Sequence, residues 1–228
     1  RRPDRLASEA HGSFVLGSFL ASWFTWFVHP VVWAALRLGL GPTFFNLLGA
    51  GLGIGAGWAF AGGHLTAGGW LVLGGGVADI LDGRIARAQG VASGRGAFLD
   101  STLDRFAEVG AFIGLVVLFR ASAVGAALAA TALGGSLLVS YARARGESQG
   151  VVCKYGVMQR AERLLLVGFG ALFDPAVSTR WGQGEPGLLL LPLLALVAVG
   201  TVGTAVYRTV WIARALESGA AGRPTDDA

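Results

Sequence analysis

The feature that most constrains this chain is the recurrence of apolar segments long enough to cross a bilayer. A spanning helix needs about 20 largely apolar residues, because each residue rises about 1.5 Å through a hydrocarbon core of about 30 Å. Six segments meet that need: Thr43 to Ala61, Leu65 to Ala88, Gly96 to Phe119, Ala121 to Arg143, Val157 to Phe173 and Pro186 to Trp211. Only 14% of the residues are charged and the mean hydropathy is +0.61, whereas a soluble globular domain carries roughly 25% charge. The expected fold class is therefore an all-α integral membrane protein with six transmembrane helices.

Lys and Arg concentrate on the cytoplasmic side of membrane spans. With six spans, one side collects Arg1, Arg2, Arg5, Arg37, Arg84, Arg87, Arg95, Arg105, Arg143, Arg145, Lys154, Arg160, Arg163, Arg208, Arg214 and Arg223, and the other only Arg120 and Arg180. Both termini are thus expected in the cytoplasm, as in a bacterial-type inner membrane. The formal charge of +4 meets anionic lipid headgroups rather than nucleic acid, because the basic residues flank apolar spans. The stretch from Ser13 to Leu40 is also apolar, but Arg1, Arg2 and Arg5 precede it, Arg37 ends it and Pro30 interrupts it. A single crossing would leave one basic flank outside, so a helix lying in the cytoplasmic interface is expected, with its tryptophans and phenylalanines at headgroup level.

The expected layout is a polar segment over 1–12, an interfacial helix over 13–40, one membrane domain over 41–216 and a polar tail over 217–228. The chain opens on Arg rather than Met, and its first residues are too polar for the core of a signal peptide. That is expected of a trimmed chain or of part of a longer protein. The single cysteine, Cys153, provides neither a disulfide framework nor a cysteine pair for metal. Gly49, Gly53 and Gly57 share one face of the first span, where a neighbouring backbone can approach closely.

Between two apolar segments lies "DILDGRIARAQGVASGRGAFLDSTLD", from Asp79 to Asp104. Asp79, Asp82, Gly83 and Ala86 fall at three- and four-residue spacing and share one helical face, as do Gly96, Asp100 and Asp104 on the next helix. The short glycine-containing connection is expected to return the chain as an antiparallel neighbour, so that both carboxylate pairs meet at one end of a helical hairpin. Four converging carboxylates repel one another unless cations neutralise them. An all-oxygen set without Cys or His suits Mg²⁺ or Mn²⁺ rather than zinc, and pairs of such ions clamp a diphosphate during phosphoryl transfer.

These residues resemble the signature of the CDP-alcohol phosphotransferases (CDP-alcohol phosphatidyltransferases), Asp-x₂-Asp-Gly-x₂-Ala-Arg-x₈-Gly-x₃-Asp-x₃-Asp. Every fixed position is filled, by Asp79, Asp82, Gly83, Ala86, Arg87, Gly96, Asp100 and Asp104. The resemblance implies six transmembrane helices with an interfacial N-terminal helix, a homodimer, and transfer of a phosphatidyl or related group from a CDP-linked donor to an alcohol with release of CMP. It also implies that Asp79, Asp82 and Asp100 hold two divalent cations, Mg²⁺ or Mn²⁺, and that Asp104 nears the metals and acts as general base. Gly83, Ala86 and Arg87 would line the donor site together with Asn46, Gly96 and the metal-holding Asp79 and Asp82, and the lipid-linked donor would be CDP-diacylglycerol.

"SYARARGESQG", "VMQRAERLLL" and "YRTVW" resemble the inositol-phosphate branch of the same family, the bacterial phosphatidylinositol phosphate synthases. Matching positions imply that Arg143, Arg163 and Arg208 grip an acceptor phosphate, with Arg160 and Ser140 nearby. Arginine suits that task because its fork donates paired hydrogen bonds. Arg143 stands where the branch usually has Lys, and Asn46 where it has Thr. Glycerol 3-phosphate, the acceptor of a phosphatidylglycerophosphate synthase, is the alternative to inositol 1-phosphate. Glu108 continues the Asp100 and Asp104 stripe and reads as a structural partner for an arginine. Intramembrane carboxylates also build cation or proton pathways, but a transporter needs polar groups across the whole bilayer, and here they gather at one end.

Overall fold

The computed structural model describes residues 30–153, 155–181 and 186–218. A helix over residues 30–37, here α1, is followed by α2 (Pro42–Ala61), α3 (Leu65–Gln89), α4 (Gly94–Leu118), α5 (Ala123–Ser148), α6 (Arg160–Trp181) and α7 (Leu190–Glu217). The expected polar N-terminal segment, most of the interfacial helix and nearly all of the polar tail lie outside the described residues. In α1, Arg37 lies over the Trp33 ring, 3.5 Å from its centroid. Three helices, α2, α5 and α7, are long and apolar enough to cross a membrane. Of the other three long helices, of 22 to 25 residues, α3 and α4 carry their charges toward one end, whereas α6 carries them at its start and again at Asp174 and Arg180. Large apolar side chains point outward along the bundle, among them Leu196, Val199 and Val206. Trp58, Trp70 and Trp181 are exposed at the end remote from the charged stretch, as in an interfacial aromatic belt.

The α3–α4 connection is made by local chemistry. Gly90 caps α3 in the left-handed conformation at φ 67°, which costs a residue with a Cβ more than glycine. Ser93 then caps α4, its hydroxyl accepting from the Gly96 amide. The chain does reverse here, but α3 and α4 are not packed neighbours along their length. Each packs on α2, and they touch one another only sparsely. The physical reason is the α2 glycine face. A Cβ on Gly57 would strike the Gly110 carbonyl, one on Gly53 would lie 2.8 Å from the Ala107 carbonyl oxygen, and Gly49 faces Gly75 and Ala78 of α3. So close an approach of α2 to both partners places it between them, and Asn46 is carried on the same face toward the charged end.

On the other side of the molecule α5 packs on α7, and α6 packs on both α3 and α7. Three helices depart from their expected bounds by more than three residues, the first being α5, which runs on to Ser148 rather than ending at Arg143. The fifth span was expected over Val157 to Phe173, yet α6 starts at Arg160 and runs on through Asp174 and Pro175 to Trp181. Asp174 is fully buried and accepts from Ser178 Oγ at 3.2 Å and from the backbone amides of Gly187, Leu189 and Leu190 at 2.8 to 2.9 Å. This carboxylate thus satisfies the start of α7, and a charge that reads as a helix stop serves as a cap from a neighbouring helix. The last helix begins at Leu190 rather than Pro186 and extends to Glu217 rather than Trp211.

The glycine seam gives a direct test. Gly57→Ala should destabilise the detergent-solubilised protein by about 1–3 kcal/mol, because the obstructing atoms are backbone and cannot rotate away. Gly51, with open space around it, should tolerate Ala with no loss or a gain of about 0.5–1 kcal/mol. Thermal unfolding of the two variants against the parent checks the contrast.

Candidate active site

Three helix ends meet where the charge gathers: the start of α2, the end of α3 and the start of α4. Asp79 and Asp82 come from α3 and Asp100 from α4, and one carboxylate oxygen of each lies within 4.8 Å of the others. Asp82 is buried, whereas Asp79 and Asp100 are partly exposed. Asn46 projects from α2 between the two acidic helices. With its amide nitrogen turned toward the carboxylates it donates to Asp82 and, at 3.2 Å, to Asp100 Oδ1. The trio is all oxygen, converges from two helices and has one neutral donor beside it. This arrangement fits a hard divalent cation, which the carboxylates would hold directly.

Asp104 sits one turn beyond Asp100 but stands apart from the trio. Its Oδ1 is 2.8 Å from Arg160 Nη2, and Arg160 Nε is 3.9 Å from Asp79 Oδ2. Arg160, expected near an acceptor phosphate, is thus paired with the carboxylates themselves.

A cleft of about 670 Å³ opens beside the trio. Asn46, Asp82, Gly83, Ala86, Arg87, Gly96 and Asp100 line it together with Thr43 and Ser93. All the expected donor-site residues except Asp79 are therefore brought to one cavity. The Arg87 guanidinium lies beside Gly83, 3.5 Å from where a Cβ would stand, an ordinary contact distance. The N-terminal ends of α2 and α4 border the same space, and free amides at helix starts favour anions.

A second, larger cleft of about 1170 Å³ lies on the other side of Asp100. Ser140, Arg143, Arg160, Arg163 and Arg208 line it with Asp104, Glu108 and Glu147. The sequence-predicted acceptor residues thus converge from α5, α6 and α7 on one space. They are not equally accessible. Arg163 is 2% exposed and pairs through Nε and Nη2 with both Glu108 oxygens at 2.7 and 3.2 Å, while Nη1 donates to the Met158 carbonyl. Arg208 is 3% exposed and donates to the carbonyls of Tyr155 and Val139. Arg143 is the open one, its side chain 48% exposed and tied through Nε to Glu147 at 2.8 Å.

The expected partnership of Glu108 with an arginine is what the structure shows. Other contributors escape sequence reading. The carbonyls of Tyr155 and Met158, in the α5–α6 connection, orient two arginines, and a backbone acceptor leaves no residue-type signal. Glu147 lies four residues after Arg143, the spacing at which helical residues pair, and that spacing could have found it.

The sequence profile of the CDP-alcohol phosphatidyltransferase family matches residues 27–202. The phosphatidylinositol phosphate synthase of Streptomyces avermitilis is 33% identical over 221 residues, covering 92% of this chain and 87% of that protein. The archaetidylinositol phosphate synthase of Methanothermobacter thermautotrophicus is 33% identical over 60% of this chain and 65% of its own. The crystal structure of the Mycobacterium tuberculosis phosphatidylinositol phosphate synthase with CDP-DAG bound superposes with a TM-score of 0.68 and 31% identity, over 80% of this chain and 92% of that one. A crystal structure of the same mycobacterial enzyme with manganese and citrate matches with a TM-score of 0.68 and 32% identity, over 80% and 88%.

The buried Glu108–Arg163 pair makes a prediction independent of turnover. Glu108→Ala leaves a buried guanidinium without its counter-charge and should cost about 3–5 kcal/mol of stability. Removing both charges together, as Glu108→Leu with Arg163→Met, should cost much less. Thermal melts of the single and double variants measure the difference.

Proposed function

The chain belongs to the CDP-alcohol phosphatidyltransferase family, and from that premise we propose that it moves a phosphatidyl group from CDP-diacylglycerol to inositol 1-phosphate, giving phosphatidylinositol phosphate and CMP. At the coarser level the protein is a membrane transferase with helical spans and an aspartate cluster suited to a divalent metal. The observation that carries the finer reading is the meeting of two clefts at Asp100. One holds the donor residues of the family signature other than Asp79, and the other gathers five arginines, Arg105, Arg143, Arg160, Arg163 and Arg208, beside Asp104. An uncharged acceptor would make no use of the positive charge gathered there.

In this reading Asp79, Asp82, Asp100 and, from one turn away, Asp104 hold or adjoin two divalent cations, Mg²⁺ or Mn²⁺. Bound there, the cations would neutralise the diphosphate and the charge that builds on it during transfer. Asn46, Gly83, Ala86, Arg87 and Gly96 receive the cytidylyl diphosphate, with the glycines leaving space and Arg87 supplying charge. Arg163 and Arg208, anchored by protein acceptors, fix positive charge in the second cleft. Arg143 and Ser140, nearer the opening, adapt to the acceptor phosphate. The acceptor hydroxyl attacks the β-phosphorus of the donor; its proton passes to the Asp104 carboxylate, the bond to the CMP oxygen breaks and CMP leaves. A base held at hydrogen-bond distance contributes about 10²–10⁴-fold to such a step.

The remaining arrangement follows from the same reading. All six long helices cross the membrane, α1 and the residues before it lie in the interface, and the enzyme works as a homodimer. The site faces the cytoplasm, because Arg84, Arg87, Arg95, Arg143, Arg145 and Arg214 lie at the site end, against Arg120 and Arg180 at the other.

The test is CMP release and lipid product from purified protein with CDP-diacylglycerol, Mg²⁺ and one acceptor at a time. Inositol 1-phosphate should react, free inositol and serine should not, and EDTA should abolish turnover. Arg143→Gln should raise the KM for the acceptor roughly 10- to 150-fold, the worth of one charge-assisted hydrogen bond, with the donor KM little changed. Preference for glycerol 3-phosphate would replace the proposed acceptor, and equal use of free inositol would overturn the role of the arginine cleft.

A further inference from the structure

Between α5 and α6, residues 155–159 form a strap without regular secondary structure, and α7 holds it at two points one helical turn apart. Arg208 Nε donates to the Tyr155 carbonyl at 2.8 Å, and Thr204 Oγ1 accepts from the Met158 amide at 3.2 Å. Gly156 lies between these points at φ 151°, where a Cβ would strike Thr204 Cγ2. The strap therefore rests directly on Thr204. The Met158 side chain is buried against Gly200 of the same helix, and its carbonyl accepts from Arg163 Nη1 at 3.1 Å. Two hydrogen bonds in series thus link a buried hydroxyl of α7 to a guanidinium in the wall of the arginine cleft. Thr204 itself is buried and is not among the residues lining either cleft.

We propose that Thr204 is a positioning residue for the arginine cleft: by accepting from the Met158 amide it aims the Met158 carbonyl at Arg163 and so fixes the plane of that guanidinium. A guanidinium carries five N–H bonds in one plane. Glu108 takes two of them from Arg163, at Nε and Nη2, and Met158 takes one at Nη1. One N–H each at Nη1 and Nη2 is left for an anion. Glu108 holds the fork along one edge, about which the carboxylate pair can still tilt. The Met158 carbonyl holds a second edge from another segment of the chain, and with both in place the two remaining N–H bonds keep a single direction. Without the Thr204 oxygen the Met158 amide would be buried with no acceptor, a costly state that the strap escapes by shifting Met158, carbonyl included. The Glu108 pair stays intact, so the loss falls on the aim of Arg163 more than on stability. The inference rests on the proposed function for the identity of the anion, an acceptor phosphate.

The experiment compares the full chain with three variants. Thr204→Val keeps the shape of the side chain and removes its hydroxyl, Thr204→Ser keeps the hydroxyl, and Gly156→Ala crowds the strap off Thr204 while leaving every hydrogen-bonding side chain in place. Melts in detergent confirm folding. The readouts are kcat, KM for CDP-diacylglycerol, KM for the phosphorylated acceptor that the parent uses, and hydrogen–deuterium exchange over residues 155–163 with increasing inorganic phosphate. Thr204→Val should raise the acceptor KM roughly 2- to 12-fold, the worth of one neutral hydrogen bond, with kcat and the donor KM little changed. Exchange over the strap should quicken, protection by phosphate should need a correspondingly higher concentration, and Thr204→Ser should return both toward the parent. Faster strap exchange with an unchanged acceptor KM overturns the proposal and leaves Thr204 as a buried partner of the Met158 amide only. Equal rises in both KM values also overturn it, since they mark a general loosening. If Thr204→Val does not fold, Gly156→Ala decides by the same split: a raised acceptor KM alone supports the proposal and an unchanged one refutes it. Absence of CMP release from the parent would remove the proposed function instead, and phosphate protection would still decide the inference. Weaker protection in Thr204→Val than in the parent supports it, whereas equal protection, or none in the parent, refutes it.

Discussion

The structure depends on one electrostatic constraint: carboxylates from two helices converge within 4.8 Å at the end of an otherwise apolar bundle. Charge in such surroundings is costly unless it is paired or hydrogen-bonded. The surrounding parts read as answers to that cost. Asn46 supplies a neutral donor between Asp82 and Asp100, Arg160 a cation against Asp79 and Asp104, and the starts of α2 and α4 the positive ends of their helix dipoles. The cluster suits a divalent cation, and under the proposed function a site holding one would also receive a diphosphate.

Packing turns that constraint into two separate chambers. Because glycines allow α2 to approach α3 and α4 almost backbone to backbone, α2 separates the acidic helices and one cleft forms at their joined ends. The second cleft needs α5, α6 and α7. Its walls are held by the buried Glu108–Arg163 pair and by Arg208, which ties α7 to α5 and to the connection before α6. Buried ion pairs are weak evidence for stability; here the pair fixes the Arg163 guanidinium in the wall of the cleft that the proposed function gives to the acceptor phosphate. Asp100 lines both chambers, and the proposed function puts the chemistry at this shared wall.

Much of the site was legible because it follows helical periodicity. The spacing of Asp79, Asp82, Gly83 and Ala86, and of Gly96, Asp100 and Asp104, puts each set on one face whatever the tertiary fold, and the glycine stripe of α2 announces a close neighbour. Tertiary order was not legible. No local pattern says that α2 sits between α3 and α4, nor that Arg160 reaches Asp104 across 56 positions rather than a phosphate. The end of α6 was misplaced for a related reason. Asp174 and Pro175 signal termination locally, and only the amides of the distant α7 start make a buried carboxylate there favourable.

The central claim is that the converged aspartates form a divalent metal centre shared by the two clefts. Anomalous diffraction at the manganese edge, from crystals grown with Mn²⁺, tests it most directly. The account predicts anomalous density bonded to Asp79, Asp82 and Asp100 in the wild-type chain, and its loss in Asp82→Asn. Density elsewhere, or density at the cluster that survives Asp82→Asn undiminished, would contradict it.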